Sequence, residues 1–178
     1  MSGRLLVFFF YLVISFSLVA CQWSNEEELL REQFAEAVKN GEDLRAISKF
    51  SVLHSQFPVS TEELFEAAWL ALFCVRDFDL AALYFSEMDA HEAGFNNVFK
   101  GIEVLHLGAW VVCASGESSR CVEYIEESLV IVSNFDETQT TYLRQYVDDM
   151  VYLRELALLD RSSEAVLDDR FLSVCSNM

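Results

Sequence analysis

The sequence contains very little that interrupts a helix. Its 178 residues include one proline and six glycines, and no segment alternates apolar and polar residues in the way that a half-buried strand does. The single proline, Pro58, follows directly after a helical pattern. These absences exclude a chain rich in sheets or long loops, and the sequence therefore predicts an all-α fold.

Basic residues are also scarce. Twelve Lys and Arg residues stand against 29 Asp and Glu residues, which gives a net charge of −17 at pH 7. A strongly acidic chain is repelled by phosphate backbones and by anionic membrane surfaces. The composition therefore argues against nucleic acid as a partner, and the acidic residues serve mainly solubility.

The residue patterns of catalytic and metal sites are missing from the sequence. It has no Gly-rich phosphate loop, no nucleophile elbow and no spaced Cys/His zinc motif. The three histidines, His54, His91 and His106, lie far apart. Glu103-x-x-His106 resembles half of a carboxylate-bridged di-iron motif, but the second copy that such a site requires is absent from the sequence. We predict a protein that is not an enzyme, with no metal, cofactor or small-molecule substrate, and interpret His106 as a packed or solvated histidine.

The first twenty residues have the features of an export signal. Arg4 provides a positive charge, and residues 5–20 form an apolar run that is short for a membrane span. Residues 1–20 are therefore predicted to be removed. The next 158 residues are enough for one compact domain.

The end of this signal resembles the lipobox of bacterial lipoproteins. Leu18, Val19 and Ala20 match the signal-peptidase recognition residues, and Cys21 matches the cysteine that is acylated and becomes the new N-terminus. The resemblance implies a lipid anchor on Cys21. Because Gln22 follows, and not Asp, it also implies the periplasmic face of the outer membrane. The alternative is an ordinary secretory signal with a chance cysteine at its end.

Four further cysteines follow: Cys74, Cys113, Cys121 and Cys175. Their mostly apolar helical surroundings favour buried thiols. Cys113 and Cys121 bracket a short loop in a chain that we expect in an oxidising compartment, so a disulfide between these two residues is the alternative.

Two helix pairs can be recognised before residue 90. Asn40-Gly41 is a turn signal, and the helix after it carries an apolar stripe: Leu44, Ile47, Phe50, Leu53 and Phe57. A capping box at Ser60 to Glu63 opens the next helix. Ala46 and Phe50 recur after 35 residues as Ala81 and Phe85, which resembles the A-x3-F…P ending of a tetratricopeptide (TPR) repeat.

A third helix pair and a long helix are predicted after residue 95. The first helix of this pair carries Val98, Ile102 and Ala109 on one face, with Gly101 and Gly108 allowing another helix to approach. Its partner covers about residues 119–133, a long helix follows over 139–160, and a short amphipathic segment over 163–174 acts as a cap. Together these elements predict a linker over 21–23 and a single TPR-like helix-pair solenoid over 24–178, with about three to four repeat units.

Three phrases of the sequence resemble the BamD family, the TPR lipoproteins of the outer-membrane β-barrel assembly machinery. They are AISKFSVLHSQFPVSTEELFEAAWLALF, RDFDLAALYFSEM and YVDDMVYLRELA. The resemblance implies a role in outer-membrane protein assembly and insertion, with assembly-machinery proteins and unfolded outer-membrane substrates as partners. Family members usually have five repeats, so the C-terminal docking surface is missing or remodelled in this chain. The alternative function is a general periplasmic TPR adaptor in cell-wall or division complexes.

Binding by such a solenoid depends on shape, because stacked first helices line a concave groove that holds an extended or helical peptide. The groove candidates are Phe65, Trp69 and Arg76. For docking, the long helix offers aromatic residues with a polar tip and scarce basic groups, which are common in binding hot spots. These docking candidates are Tyr142, Arg144, Tyr146 and Arg154.

Overall fold

A computed structural model describes residues 25–89, 98–134, 144–162 and 164 of the chain. Within these ranges all regular structure is helical and no strand is present, which confirms the predicted all-α class. No helix of the described ranges combines the length and the apolar character needed to span a membrane. Residues 1–20, Cys21 and most of the predicted cap over 163–174 lie outside them.

The chain divides into two compact units where the sequence predicted a single domain. The first unit ends at Val59 and the second begins at Ser60. This boundary falls between the two helix pairs that the sequence predicted before residue 90.

The first unit is a pair of helices. Helix α1 covers residues 25–39 and helix α2 covers Asp43–Gln56. Between them Gly41 has a φ of +67°, a left-handed conformation that glycine adopts without steric cost, and this explains the Asn40-Gly41 signal. Helix α2 ends at Gln56, directly before Phe57. It therefore ends before Pro58, as the proline predicted.

The core of the first unit is built on two phenylalanines. The ring centroids of Phe34 and Phe50 lie 5.2 Å apart. At the surface of the same unit, Arg31 donates a 2.8 Å hydrogen bond to the carbonyl oxygen of Pro58. The prediction for Leu44 is wrong, since its side chain is 74% exposed. The buried stripe of α2 centres on Phe50, and Leu44 lies well around the helix from that centre. The buried apolar residues of this unit are Leu30, Phe34, Ala37, Ala46, Ile47, Phe50 and Leu53.

The second unit opens with a helix that widens in its second half. Helix α3 covers Thr61–Trp69 and continues as a π-helix over Leu70–Val75. The predicted capping box is present, because the Ser60 hydroxyl accepts from the Glu63 N–H and the Glu63 carboxylate accepts from the Ser60 N–H. Arg76, at a φ of 62°, ends the π-helix.

Helix α4, Phe78–Asp89, follows this turn. The Asp77 carboxylate accepts a 3.0 Å hydrogen bond from the Leu80 N–H and so caps the start of α4. Ala81 and Phe85 are buried on α4 in the same way as Ala46 and Phe50 are buried on α2. The second helix of each pair therefore buries an alanine and a phenylalanine that are four residues apart. The two sets are separated by the 35-residue repeat distance of the sequence.

Three more helices complete the described part of the second unit: α5 covers Val98–Ala114, α6 covers Ser118–Ser133 and α7 covers Arg144–Leu158. Helix α5 packs against α4, α6 and α7, and α6 also packs against α7. Trp110 is the largest fully buried side chain of the chain's described ranges. Its ring contacts Phe73 of the π-helix, with centroids 5.9 Å apart. Helix α5 is thus the central element of this unit.

A disulfide joins the end of α5 to the start of α6. The Cys113 and Cys121 sulfurs are 2.00 Å apart and the Cα atoms 4.8 Å apart, and both side chains are fully buried. Cys74 is also disulfide-bonded, so its interpretation as a buried free thiol is wrong. An apolar sequence neighbourhood indicates burial and carries no information about oxidation state, which is why the pattern misled. Cys175 lies outside the described residues.

Gly108 allows a close helix approach in the second unit. A Cβ atom at this position would lie 2.0 Å from the Tyr124 hydroxyl oxygen and 2.5 Å from Cζ of Phe85. At Gly101, by contrast, a Cβ atom would meet nothing within 4 Å. The predicted role in helix approach is therefore correct for Gly108 and wrong for Gly101.

We predict opposite effects for alanine at these two glycines. Gly108→Ala forces the Tyr124 and Phe85 rings to move, and overpacking of this kind lowers the free energy of unfolding by about 1–3 kcal/mol. Gly101→Ala gains helix propensity without a clash, and should raise the free energy of unfolding by up to about 1 kcal/mol. Urea unfolding of the two variants measures both effects. Equal stability of the two variants would contradict the described packing of α5.

Candidate functional site

A cluster of polar side chains lies between α5 and α7 in the second unit. Helix α5 contributes Glu103, His106 and Trp110, and helix α7 contributes Tyr146 and Asp149. Spacings of three and four residues place these side chains on one face of each helix. The side chains of His106 and Asp149 are only 14% and 12% exposed. We call these five residues the α5–α7 polar cluster.

His106 is the centre of the cluster. Its Nε2 atom lies 3.1 Å from Oδ2 of Asp149 and 3.0 Å from Nε1 of Trp110. The imidazole ring also packs against the Tyr146 ring, with centroids 4.8 Å apart. One nitrogen atom of His106 therefore contacts both a carboxylate of α7 and an indole N–H of its own helix.

Tyr146 joins the second carboxylate to the cluster. Burial raises the pKa of the Tyr146 phenol, and the charge of Glu103, a hydrogen bond to Glu103 and the charge of Asp149 raise it further. A phenol beside two carboxylates stays protonated, because ionisation would add a third negative charge at short range. Tyr146 is therefore a neutral hydrogen-bond donor to Glu103.

The chemistry of this cluster is hydrogen bonding and proton exchange. In the ranges that the structure covers, no group of three or more His, Cys, Asp and Glu side chains is arranged to hold a metal ion. A buried carboxylate and imidazole are costly unless they are paired, so their pairing ties α5 to α7 at one register. The arrangement supports a structural or regulatory role.

The sequence contained a partial signal for this cluster. The Glu-x-x-His spacing of Glu103 and His106 is visible in the sequence, but no local pattern gives His106 a partner. Asp149 was not recognised as a buried residue, because Asp is rarely buried unless it is paired. The one-turn spacings Glu103 to His106 and Tyr146 to Asp149 could have paired the two helices, had their packing been known.

The three predicted groove residues lie at the start of the second unit. Phe65 and Trp69 are half-buried on α3, and Arg76 is exposed at the end of the π-helix. The Trp69 ring packs on Phe73, with centroids 5.3 Å apart. Glu66 lies between the two aromatic residues in sequence, and burial raises the pKa of its carboxyl group. Helix α3 therefore presents partly exposed aromatic side chains.

The predicted docking residues of α7 have different environments in the structure. Arg144 is exposed, whereas Tyr146 belongs to the α5–α7 polar cluster. Arg154 contacts Glu126 of α6, with Nη2 and Oε1 3.1 Å apart, so its charge is used within the unit. Tyr142 lies outside the described residues, as do Leu18, Val19, Ala20 and Cys21.

We predict that the pKa of Tyr146 lies above 10.0, the ordinary value for tyrosine. The protonated phenol stabilises the folded state below the unfolded pKa, and this contribution is lost as the pH rises through the raised folded pKa. Glu103→Gln should lower the pKa of Tyr146 by removing one neighbouring charge. The phenolate absorbance during an alkaline titration measures this, and Tyr146→Phe identifies the step. Ionisation of Tyr146 at or below 10.0 would contradict the described environment.

Comparison of the chain with protein-family models, with curated proteins and with solved structures finds no match. The resemblance to the BamD family over residues 46–88 and 146–157 therefore stays a prediction from the sequence. The structure adds an all-α chain in which two helix pairs repeat a buried alanine and phenylalanine.

Proposed function

We propose that this protein is a lipid-anchored helix-pair protein that binds polypeptide segments at the periplasmic face of the outer membrane. The observation that carries the proposal is the repeated helix pair. Ala46 and Phe50 in the first unit, and Ala81 and Phe85 in the second, are all buried on the second helix of their pair. Repeated helix pairs use their first helices to bind peptides by shape.

The cysteines support an exported location. Cys74, Cys113 and Cys121 are all disulfide-bonded, and disulfides persist mainly in oxidising compartments such as the periplasm. This agrees with the export signal over residues 1–20. A triacylated cysteine would hold the protein permanently at the membrane, because two or more chains anchor firmly.

Within this function we propose a BamD-like role in outer-membrane protein assembly. The sequence resemblance at residues 46–88 and 146–157 supports that role. The partly exposed Phe65 and Trp69 of α3 are suited to contact substrate polypeptide, since aromatic residues provide rigid contact area. Arg144 at the start of α7 is the exposed basic residue that is suited to docking on the assembly machinery.

Two changes test the anchor and the docking helix. Cys21→Ser should release the protein from the membrane fraction, since its lipid is the proposed anchor. Charge reversal of both Arg144 and Arg154 should reduce co-purification of barrel-assembly proteins by roughly tenfold, the loss expected when a binding hot spot is removed. Membrane fractionation and quantitative mass spectrometry of the purified complexes measure the two effects.

A compensating variant separates docking from internal pairing. Adding Glu126→Arg to the double charge reversal restores an ion pair between α6 and α7, so capture should stay low if the arginines contact a partner. Recovery of capture would show that Arg154 acts only through Glu126. Membrane retention of Cys21→Ser would contradict the lipid anchor. Capture of peptidoglycan enzymes in place of barrel-assembly proteins would favour the general adaptor.

A photoreactive side chain at position 69 tests the α3 surface directly. It should cross-link to unfolded outer-membrane proteins during their export, because Trp69 is placed on the proposed polypeptide-binding face. The same group at position 44 is the matched control, as Leu44 is strongly exposed but lies on α2. Equal cross-linking from both positions would contradict a specific surface on α3.

A further inference from the structure

The two contacts of His106 Nε2 make opposite demands on that nitrogen. The indole Nε1–H of Trp110 is a donor only, so at 3.0 Å it requires a lone pair on Nε2. The Asp149 carboxylate is an acceptor when it is ionised, so at 3.1 Å it requires a hydrogen on Nε2. A single ring nitrogen carries either a lone pair in the ring plane or a hydrogen. The two contacts therefore cannot both be hydrogen bonds at the same time, because one requires Nε2 without a hydrogen and the other requires Nε2 with a hydrogen.

These two states differ in what they connect. When Nε2 accepts from Trp110, the hydrogen bond stays within α5, because His106 and Trp110 are one turn apart on that helix. When Nε2 donates to Asp149, the hydrogen bond connects α5 to α7. In the charged ring the second bond is a charge-assisted one, which is stronger than a neutral hydrogen bond.

We propose that His106 is a proton-operated clasp between α5 and α7. In the neutral state the ring carries its proton on Nδ1, and Nε2 accepts the hydrogen bond of Trp110. Addition of a proton to Nε2 ends this bond and creates a charged hydrogen bond to Asp149. Acidification thus transfers one hydrogen bond from the interior of α5 to the α5–α7 contact, and α7 is held more firmly. This inference does not depend on the proposed function.

Two carboxylates and a phenol complete the cluster around His106. Glu103 on α5 and Asp149 on α7 bring negative charge to the cluster, and Tyr146 on α7 stays neutral because burial and both carboxylates raise its pKa. A hydrogen on Nε2 of His106 therefore faces the Asp149 carboxylate directly.

Helices α4 and α6 both bring an aromatic ring to α5 at Gly108. Helix α6 approaches α5 through the Tyr124 ring at Gly108, and its Glu126 is paired with Arg154 of α7. Helix α4 approaches the same glycine through the ring of Phe85. In the part of the chain that the structure describes, the ring and polar contacts of His106 come from α5 and α7 alone.

Nuclear magnetic resonance of the full chain tests the clasp through two separate observations across a titration from about pH 8 to about pH 5, the range in which histidine changes charge. The Trp110 indole N–H resonance, assigned with Trp69→Phe and Trp110→Phe variants, should move as its bond to His106 is lost. The amide protection factors of α7 should rise roughly tenfold over the same interval, the order of magnitude that a hydrogen bond to a charged group provides.

Two variants assign these changes to their causes. Asp149→Ala should keep the shift of the Trp110 resonance and lose the rise in α7 protection, because the proton still reaches Nε2 but the Asp149 carboxylate of α7 is no longer there to accept from it. His106→Gln should lose both changes, because an amide accepts through its oxygen and donates through its nitrogen without titrating. Retention of native helix content at neutral pH qualifies each variant for the comparison.

Three results would overturn the proposal. The first is an imidazole that carries its neutral-state proton on Nε2, as read from its ¹⁵N chemical shifts. The second is a Trp110 indole resonance that stays constant across the titration. The third is an α7 protection factor in the wild type that changes no more than it does in Asp149→Ala.

Discussion

The second unit depends on the close packing of α5, because this helix contacts α4, α6 and α7 at the same time. Three neighbours can share one helix only where its surface is matched to each of them. Gly108 provides the small surface that admits Tyr124 and Phe85. Trp110 fills the buried side toward the π-helix through Phe73. The disulfide between Cys113 and Cys121 then fixes the direction in which α6 leaves α5.

Polar and apolar contacts have different roles around this helix. The apolar contacts of Gly108 and Trp110 hold helices together by burial, which is not directional. The contact between His106 Nε2 and the Asp149 carboxylate is directional, and a slide of α7 by one residue would separate the two groups. Because buried polar groups are costly to separate from their partners, the α5–α7 polar cluster favours one register of the two helices.

The sequence predicted local structure well and long-range pairing poorly. The Asn40-Gly41 turn, the Ser60 capping box and the end of α2 before Pro58 follow from nearest neighbours, and the structure has all three. The prediction that Leu44 is buried failed, because the sequence does not distinguish an apolar residue beside a helical stripe from one within it. The partner of His106 was missed because it lies 43 residues away, and no local spacing identifies such a partner. The family, the anchor and the partners stay predictions from the sequence.

The central claim is that α5 organises the second unit, and native-state hydrogen exchange tests it most directly. Amides in the buried part of α5, from Leu107 to Cys113, should exchange only through the opening of highest free energy, because their release requires separation from three helices. Amides of α6 and α7 should exchange through the same opening or through lower ones. If α5 instead exchanges through an opening of low free energy while α6 and α7 stay protected, then the unit is organised by another contact and the account of α5 is wrong.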